Sequence, residues 1–283
     1  MSIEHPKIMG LASKGHLGSG ARMSIHHVTY SGRELALKHL VIRSEADRRF
    51  LDQMKNEHAV ARRIDHPGIR KTIRLRIRRR FIRPVEAGLL MELVDGRSLD
   101  RVEHASLGGK IRYIGQIAEA LAALHRVGWV HSDVKPTNII CSPDGAVLID
   151  LGQAAPIGTM KQRVQGTPGF MAPEQAHLDQ ITPRTDVYGL GATLYWLLVG
   201  TTVETSIGSG VQERGSLSIN DIEKARMPPP LTECQPDLPS ELSTLIEGCL
   251  APSPSRRFSG MPDIIGLLSR IRPLIESGDS RDS

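Results

Sequence analysis

Aromatic residues make up only 4% of this 283-residue chain, so a core has to be assembled from Leu, Ile, Val and Ala. Cysteine is as scarce. Cys141, Cys234 and Cys249 are odd in number and show no Cys-x-x-Cys spacing, which argues against a disulfide framework or a zinc site and for reduced thiols in a cytoplasmic protein. Long apolar runs are missing too. The longest, around Leu194 to Val199, falls far short of the roughly 18 residues a membrane span needs, so no membrane partner is expected. The opening Met-Ser-Ile-Glu-His-Pro lacks the charged-then-apolar order of a signal peptide. Acid is absent from residues 70–83, which carry eight Arg or Lys; without them the net charge of +5 becomes −3. The basic character is therefore local, and no sequence-specific nucleic-acid partner is expected.

What is present is concentrated in one stretch. His131-Ser-Asp-Val-Lys-Pro-Thr-Asn138 carries a carboxylate at Asp133, a cation at Lys135 and an amide at Asn138, and Val147-Leu-Ile149 delivers a second carboxylate at Asp150. Phosphoryl transfer to a hydroxyl needs these parts: a carboxylate to orient the hydroxyl, a cation to hold the phosphoryl group, and an amide with a carboxylate to share a divalent metal. A lone His-x-Asp is common anywhere. Here Asp-x-Lys-x-x-Asn is followed by Asp150-Leu-Gly152.

At this length the chain can form one large domain or two lobes. Residues 8–42 read as strands and turns, with a glycine turn at Gly18 and Gly20 and an alternating strand Leu35-Ala-Leu-Lys38. Glycines let backbone amides approach a polyphosphate, although Gly-x-Gly also makes plain hairpins. Phe50, Met54, Glu57, Ala61 and Ile64 have helical spacing within 45–64. Glu57 lies on that inward stripe and needs a buried partner, for which Lys38 is the candidate.

Ile73, Leu75 and Ile77 alternate with Arg74 and Arg76, giving a strand with an arginine-coated face. That face is either a solvated, aggregation-protected edge or a docking site for an acidic partner. Asp95-Gly96 breaks the next apolar strand and marks a lobe boundary. A long amphipathic helix through Ile111 to Leu124 follows, then a hairpin turning at Pro143-Asp-Gly145, whose ends would bring Asn138 and Asp150 together on one ion. Residues 151–171 show no period and read as a functional loop. The chain reads helical from Asp186, with loops at 205–218 and Pro228-Pro-Pro230, helices near 239–250 and 261–272, and a frayed tail.

From about Lys7 to Ile275 the chain resembles the eukaryotic-type (Hanks-type) serine/threonine protein kinases, in that family's order. His131 to Asn138 is similar to the catalytic loop, Asp150-Leu-Gly152 to the metal-binding motif, and Ala172-Pro-Glu174 to the end of the activation segment. Gly166-Thr-Pro-Gly-Phe-Met-Ala-Pro-Glu174 and Asp186-Val-Tyr-Gly-Leu-Gly191 discriminate it from small-molecule phosphotransferases.

The resemblance implies an α+β bilobal fold: an N-lobe over 7–94 with a mainly antiparallel sheet and one key helix, a larger helical C-lobe over 95–275, and a flexible tail over 276–283. It implies ATP-dependent phosphorylation of serine or threonine hydroxyls on protein substrates, assisted by Mg2+. Asp133 would orient the substrate hydroxyl, Lys135 would stabilise the phosphoryl group, and Thr167 would touch both. Asn138 and Asp150 would hold the metal, and Lys38, fixed by Glu57, would position the inner phosphates. Gly18 and Gly20 would cover the phosphates; Ile25, Ala36 and Ile140 would sandwich the adenine. The backbone of Glu92 and Val94 would bond its edge, behind which Met91 stands. Glu174 would pair with Arg257, and Asp186 would brace the catalytic loop. Trp196 and Ser98 stand where acids would select an arginine before the acceptor, so no such preference is expected.

Three departures stand out. Met23 replaces the third glycine of the nucleotide loop, Leu151 replaces a phenylalanine, and Ser132 replaces the arginine that anchors a phosphorylated activation loop. The loop variant Gly18 to Met23 points to a bacterial member. With Lys161 and Arg163 expected to be exposed, phosphate on Thr159 would find only weak partners, and activity independent of loop phosphorylation follows. The alternatives are a nucleotide-binding pseudokinase scaffold and a small-molecule kinase.

Overall fold

The computed structural model describes residues 7–20, 22–102, 105–203 and 227–279. These residues fall into two compact units. One comprises the chain to Asp95 together with Ile149–Gly152, and the other comprises Gly96–Leu148 and the chain from Gln153. The four residues that carry Asp150 thus belong with the first unit, although they are far from it in sequence.

The first unit is an antiparallel sheet with one long helix. Its strands are β1 (Lys7–Ile8), β2 (Leu11–Ser19), β3 (Met23–Tyr30), β4 (Arg33–Val41), β5 (Thr72–Arg80) and β6 (Arg83–Glu92), in the order β1-β2-β3-β4-β6-β5. Ser31 and Gly32, both at positive φ, close the β3–β4 hairpin, the turn geometry that matches strand twist. Helix α1 (Arg48–Ala61) follows a single 3-10 turn over Glu45–Asp47. The tighter turn arises because the Asp47 carboxylate accepts from the amides of Arg43 and Ser44, both at 2.9 Å.

Alternation along β4 sends Ala36, Lys38 and Leu40 to one face of the sheet and Leu35 and Leu37 to the other. The first face packs with Leu51, Met54, Ala87, Leu89 and Met91; the second packs with Leu11, Val28 and Leu90. The alternation expected in β5 is broken at its start. A bulge between Thr72 and Arg74 leaves Ile73 45% exposed while Leu75 and Ile77 stay against the core.

The second unit is mainly helical: α2 (Leu107–Arg126), α3 (Pro173–Ala176), α4 (Pro183–Val199), α5 (Leu231–Cys234), α6 (Ser240–Leu250) and α7 (Met261–Asp279). Short strands β7 (Arg97–Ser98), β9 (Ile139–Ser142) and β10 (Gly145–Leu148) form one small sheet, and β8 (Trp129–Val130) pairs with β11 (Ala155–Pro156). Helix α4 starts three residues before Asp186, because Thr182 caps it and Pro183 occupies its first position. Glycine is required at 191, where any Cβ would collide with Cys249 of α6.

One loop expectation needs correction, while the loop expected at Pro228-Pro-Pro230 is found. Residues 151–171 are not wholly irregular: they include a 3-10 turn over Leu151–Gln153 and strand β11, and Met160 bridges to Gln180. A short helix, α5, directly follows Pro228-Pro-Pro230. The last helix runs to Asp279, past the expected start of a flexible tail at 276; residues 280–283 and the glycine- and serine-rich 205–218 lie outside the described residues. The α+β class, with strands in the first unit and helices in the second, agrees with the sequence expectation.

Candidate active site

In the first unit, Gly18 sits in β2 beside a bulge and pairs with Ile25, and the Gly20 amide donates to the Met23 carbonyl at 2.8 Å. A Cβ on Gly18 would meet nothing within 4 Å. No described neighbour therefore demands glycine there. Ile25 lies opposite Lys38, and Ala36 opposite Met91, whose side chain is fully buried. The Glu92 amide is already bonded to the Lys71 carbonyl at 3.0 Å, so only its carbonyl could meet a nucleotide edge. Val94 is half-buried just beyond β6.

At the centre of this unit Lys38 Nζ donates to Glu57 Oε2 at 2.6 Å and to Asp150 Oδ1 at 3.0 Å. Glu57 is also bound by Arg70 Nη2, at 3.1 Å from Oε1. Two cations and two carboxylates thus neutralise one another in a mostly buried cluster, as buried charge requires. Burial alone would raise the Asp150 carboxyl, but the Lys38 ammonium, with Arg70 and the Gly152 amide, outweighs it and holds Asp150 well below the usual carboxylate range. Burial pushes the Lys38 ammonium down, while Asp150 and Glu57 push it up and prevail.

Asp150 has φ +65°, a conformation that costs energy in a non-glycine residue and often marks functional sites. The Gly152 amide reaches its Oδ1 at 3.3 Å, and Asn56 Nδ2 holds the carbonyls of Leu151 and Gly152 at 3.3 and 3.2 Å. Lys38 and Gly152 both use Oδ1, which leaves Oδ2.

In the second unit, Asp133 gathers four side-chain donors. Thr167 Oγ1 donates to Oδ1 at 2.9 Å, and Oδ2 takes Lys135 Nζ at 3.0 Å, Asn138 Nδ2 at 3.1 Å and Gln153 Nε2 at 3.2 Å. Lys135 Nζ also donates to Thr167 Oγ1 at 2.6 Å, closing a triangle. Asn138 Nδ2 donates to the Asp133 carbonyl as well, at 2.8 Å. Its amide nitrogen is thereby turned to the loop, and its oxygen stays available. Ile140 pairs with Ser98 and Val147 in the small sheet.

The loop is held from below by Asp186. Its carboxylate accepts from the amides of His131 and Ser132, both at 2.8 Å, and lies 2.8 Å from His125 Nε2. Burial raises Asp186, but the His125 contact leads the opposing effects and its carboxyl stays below the ordinary value. Glu174 meets Arg257 through two 2.8 Å bonds.

A magnesium ion takes oxygen ligands, keeps waters, and binds through one or two protein groups plus substrate phosphates. In the first unit the Asp150 carboxylate, and in the second unit the Asn138 amide oxygen, are donors of that kind. Among the described residues no group of three His, Cys, Asp or Glu could hold a metal. Burial pushes the thiols of Cys141 and Cys249 up to about 12, which makes them poor nucleophiles.

Several contributors were not legible beforehand. Arg70, one of the eight basic residues of 70–83, lies buried against Glu57. Gln153, directly after Asp150-Leu-Gly152, contacts Asp133. Gln175 Nε2 holds the Ser132 carbonyl at 2.8 Å. The expectation of an exposed Lys161 is corrected: it is half-buried, donates to the Gln153 carbonyl at 2.8 Å, and burial lowers its ammonium to about 8. Ser132 is pinned by its backbone at φ +65°, and its hydroxyl is buried without a partner among the described residues. The arginine-coated face is also altered, since Arg74 bonds the Tyr30 hydroxyl at 3.0 Å and Arg78 meets Glu86 at 2.7 Å.

The sequence matches the protein kinase domain family over residues 11–266. It is 34% identical to the serine/threonine-protein kinase PknA of Mycobacterium tuberculosis, over 82% of this chain and 54% of that protein. To PkaA of Streptomyces coelicolor, also a serine/threonine-protein kinase, it is 32% identical over 81% of this chain and 41% of the relative. The chain therefore spans about half the length or less of these bacterial relatives.

Proposed function

Because the chain belongs to the protein kinase domain family, we propose that it is an active serine/threonine protein kinase, transferring the γ-phosphoryl group of ATP to hydroxyls on protein substrates. The observation that carries this reading is the triangle of Asp133, Lys135 and Thr167. Asp133 is the base that receives or orients the proton of the acceptor hydroxyl. Lys135, 3.0 Å from that carboxylate, sits where charge builds on the phosphoryl group. Thr167 binds both and sets their separation.

Lys38 positions the inner phosphates, with Glu57 and Arg70 holding it in place. Gly18 and Gly20 cover the phosphates; Ile25, Ala36 and Ile140 line the adenine, with Met91 behind it and the backbone of Glu92 and Val94 at its edge. Asp150 and Asn138 would each offer an oxygen to Mg2+, which would neutralise phosphate charge. In this reading residues 7–94 form the nucleotide-holding lobe and 95–275 the substrate lobe, in a protein of the cytoplasm. Activity does not wait for phosphate on Thr159, because Ser132 supplies no guanidinium and Lys161 is committed to the Gln153 carbonyl.

The test is labelled ATP with magnesium and a set of serine and threonine acceptor peptides. Transfer should occur, should be lost in Asp133→Asn, and should show no dominant requirement for arginine before the acceptor. Nucleotide binding without transfer to any peptide or to the protein itself would instead make it a scaffold. Transfer to small hydroxyl compounds alone would make it a small-molecule kinase.

A further inference from the structure

The hairpin between β5 and β6 ends in Phe81 and Ile82, which are 93% and 88% exposed. The chain has only four phenylalanines, and this one contributes to neither apolar cluster of the sheet. Arg80 pairs with Arg83 across the turn, which puts Phe81 first in a two-residue loop with φ +55°. Glycine is the usual occupant of that position, because a side chain crowds the backbone there. A bulky apolar residue is thus placed on the tip against local preference.

The charge around the tip is equally unbalanced. Within the basic segment Arg70, Lys71, Arg74 and Arg78 are taken up by Glu57, Asp65, Tyr30 and Glu86. Arg79, Arg80 and Arg83 are exposed and Arg76 is half-buried in mid-strand, and none of the four has an ion pair among the described residues. Three of the four uncommitted arginines therefore stand beside Phe81 and Ile82.

We propose that this hairpin is a peripheral anchor for an anionic lipid surface. Phe81 and Ile82 enter the boundary between headgroups and acyl chains, and Arg79, Arg80 and Arg83 bind lipid phosphates around them. A bilayer interface offers an apolar layer beneath an anionic one and deforms around a convex tip, so no matching pocket is needed. An acidic protein would need both a pocket and a ring of acids. A nucleic acid would satisfy the arginines but leave the aliphatic Ile82 without a suitable partner. Two apolar side chains alone bind weakly, and the arginines supply the second signal that such attachment requires. The anchor is separate from the kinase reading and needs no spanning helix; among the described residues no helix is long and apolar enough to cross a membrane.

The test is sedimentation of the whole chain with phosphatidylcholine vesicles, with and without phosphatidylglycerol. Binding should occur only with the anionic lipid and weaken with salt. The triple variant Arg79→Glu, Arg80→Glu, Arg83→Glu should lower it on the order of a hundredfold or more. Phe81→Ser with Ile82→Ser should lower it roughly tenfold at unchanged charge. Phe81→Trp should show a blue-shifted emission only on anionic vesicles. The melting temperatures of all variants should match that of the parent. Three results would overturn the proposal: no pelleting, equal pelleting with neutral vesicles, or full binding by the Phe81/Ile82 double variant. Binding to polyglutamate as tight as to vesicles and unaffected by that double variant would also overturn it, by assigning the arginines to an acidic protein.

Discussion

Lys38 and Arg257 are both buried cations that face a buried glutamate, yet their bonding differs. Arg257 uses all five of its N–H donors inside its own unit: two on Glu174, and one each on the carbonyls of Ala251, Arg184 and Pro252, at 2.7–3.0 Å. Its plane also stacks over Tyr188, 4.9 Å from the ring centroid. Lys38 has three donors and directs two of them at Glu57 and Asp150, and the Asp150 side chain is 38% exposed. A cation with every donor satisfied can only hold the fold together. One with a donor to spare, beside a carboxylate open to solvent, can engage a ligand that brings its own negative charge. The same pairing of charges therefore supports two jobs, and donor accounting tells them apart.

Substitutions can break that comparison. The largest effect is expected at the open centre: Asp150→Ala should lower the rate of peptide phosphorylation by several orders of magnitude and leave the melting temperature nearly unchanged, since positioning and charge neutralisation supply most of the rate. A variant that keeps a tenth of the parent rate would refute the role given to Asp150. Thr167→Ala should lose most turnover because it opens the Asp133–Lys135 triangle, whereas Thr167→Ser, which keeps the hydroxyl, should retain it.

At the closed centre the loss should appear in stability. Arg257→Ala leaves Glu174 buried without its cation, so denaturant unfolding should show a cost of about 3–5 kcal/mol. Replacing both partners by apolar residues of similar volume should recover much of it. If Arg257→Ala unfolds like the parent, the closed pair has been misread.

Acid should reach both units. Asp150 and Asp186 have folded-state values below the ordinary 3.8, so between the folded and unfolded values the unfolded chain binds more protons. Their contribution is present above the unfolded value and is lost as pH falls through the folded one. Urea midpoints should therefore drop below about pH 4, and Asp186→Asn should flatten that drop. The smallest effect is expected at Thr159. Thr159→Ala, and phosphatase treatment checked by mass, should leave most of the initial rate; a large fall restored by rephosphorylation would mean that another cation does the work Ser132 cannot.

The Asp133 loop, the Asp150 motif, Lys38 and Glu57 could be read from the chain, because phosphoryl transfer restricts residue types at fixed short spacings and a buried charge on a helix stripe announces its need for a partner. Periodicity likewise marked α1, α2 and the strands around Lys38. Other features only the tertiary structure decided. Arg70 looks like its basic neighbours until the chain turns it inward onto Glu57, and Ile73 fits the alternation until a bulge throws it out. Gln153 carries no motif of its own, and Phe81 becomes an exposed tip only through the pairing of β5 with β6. Local pattern records what each side chain can do. Burial and pairing depend on which distant backbone arrives beside it, and in this protein that contact alone divides the arginines of one basic run into buried partners, surface struts and free charge.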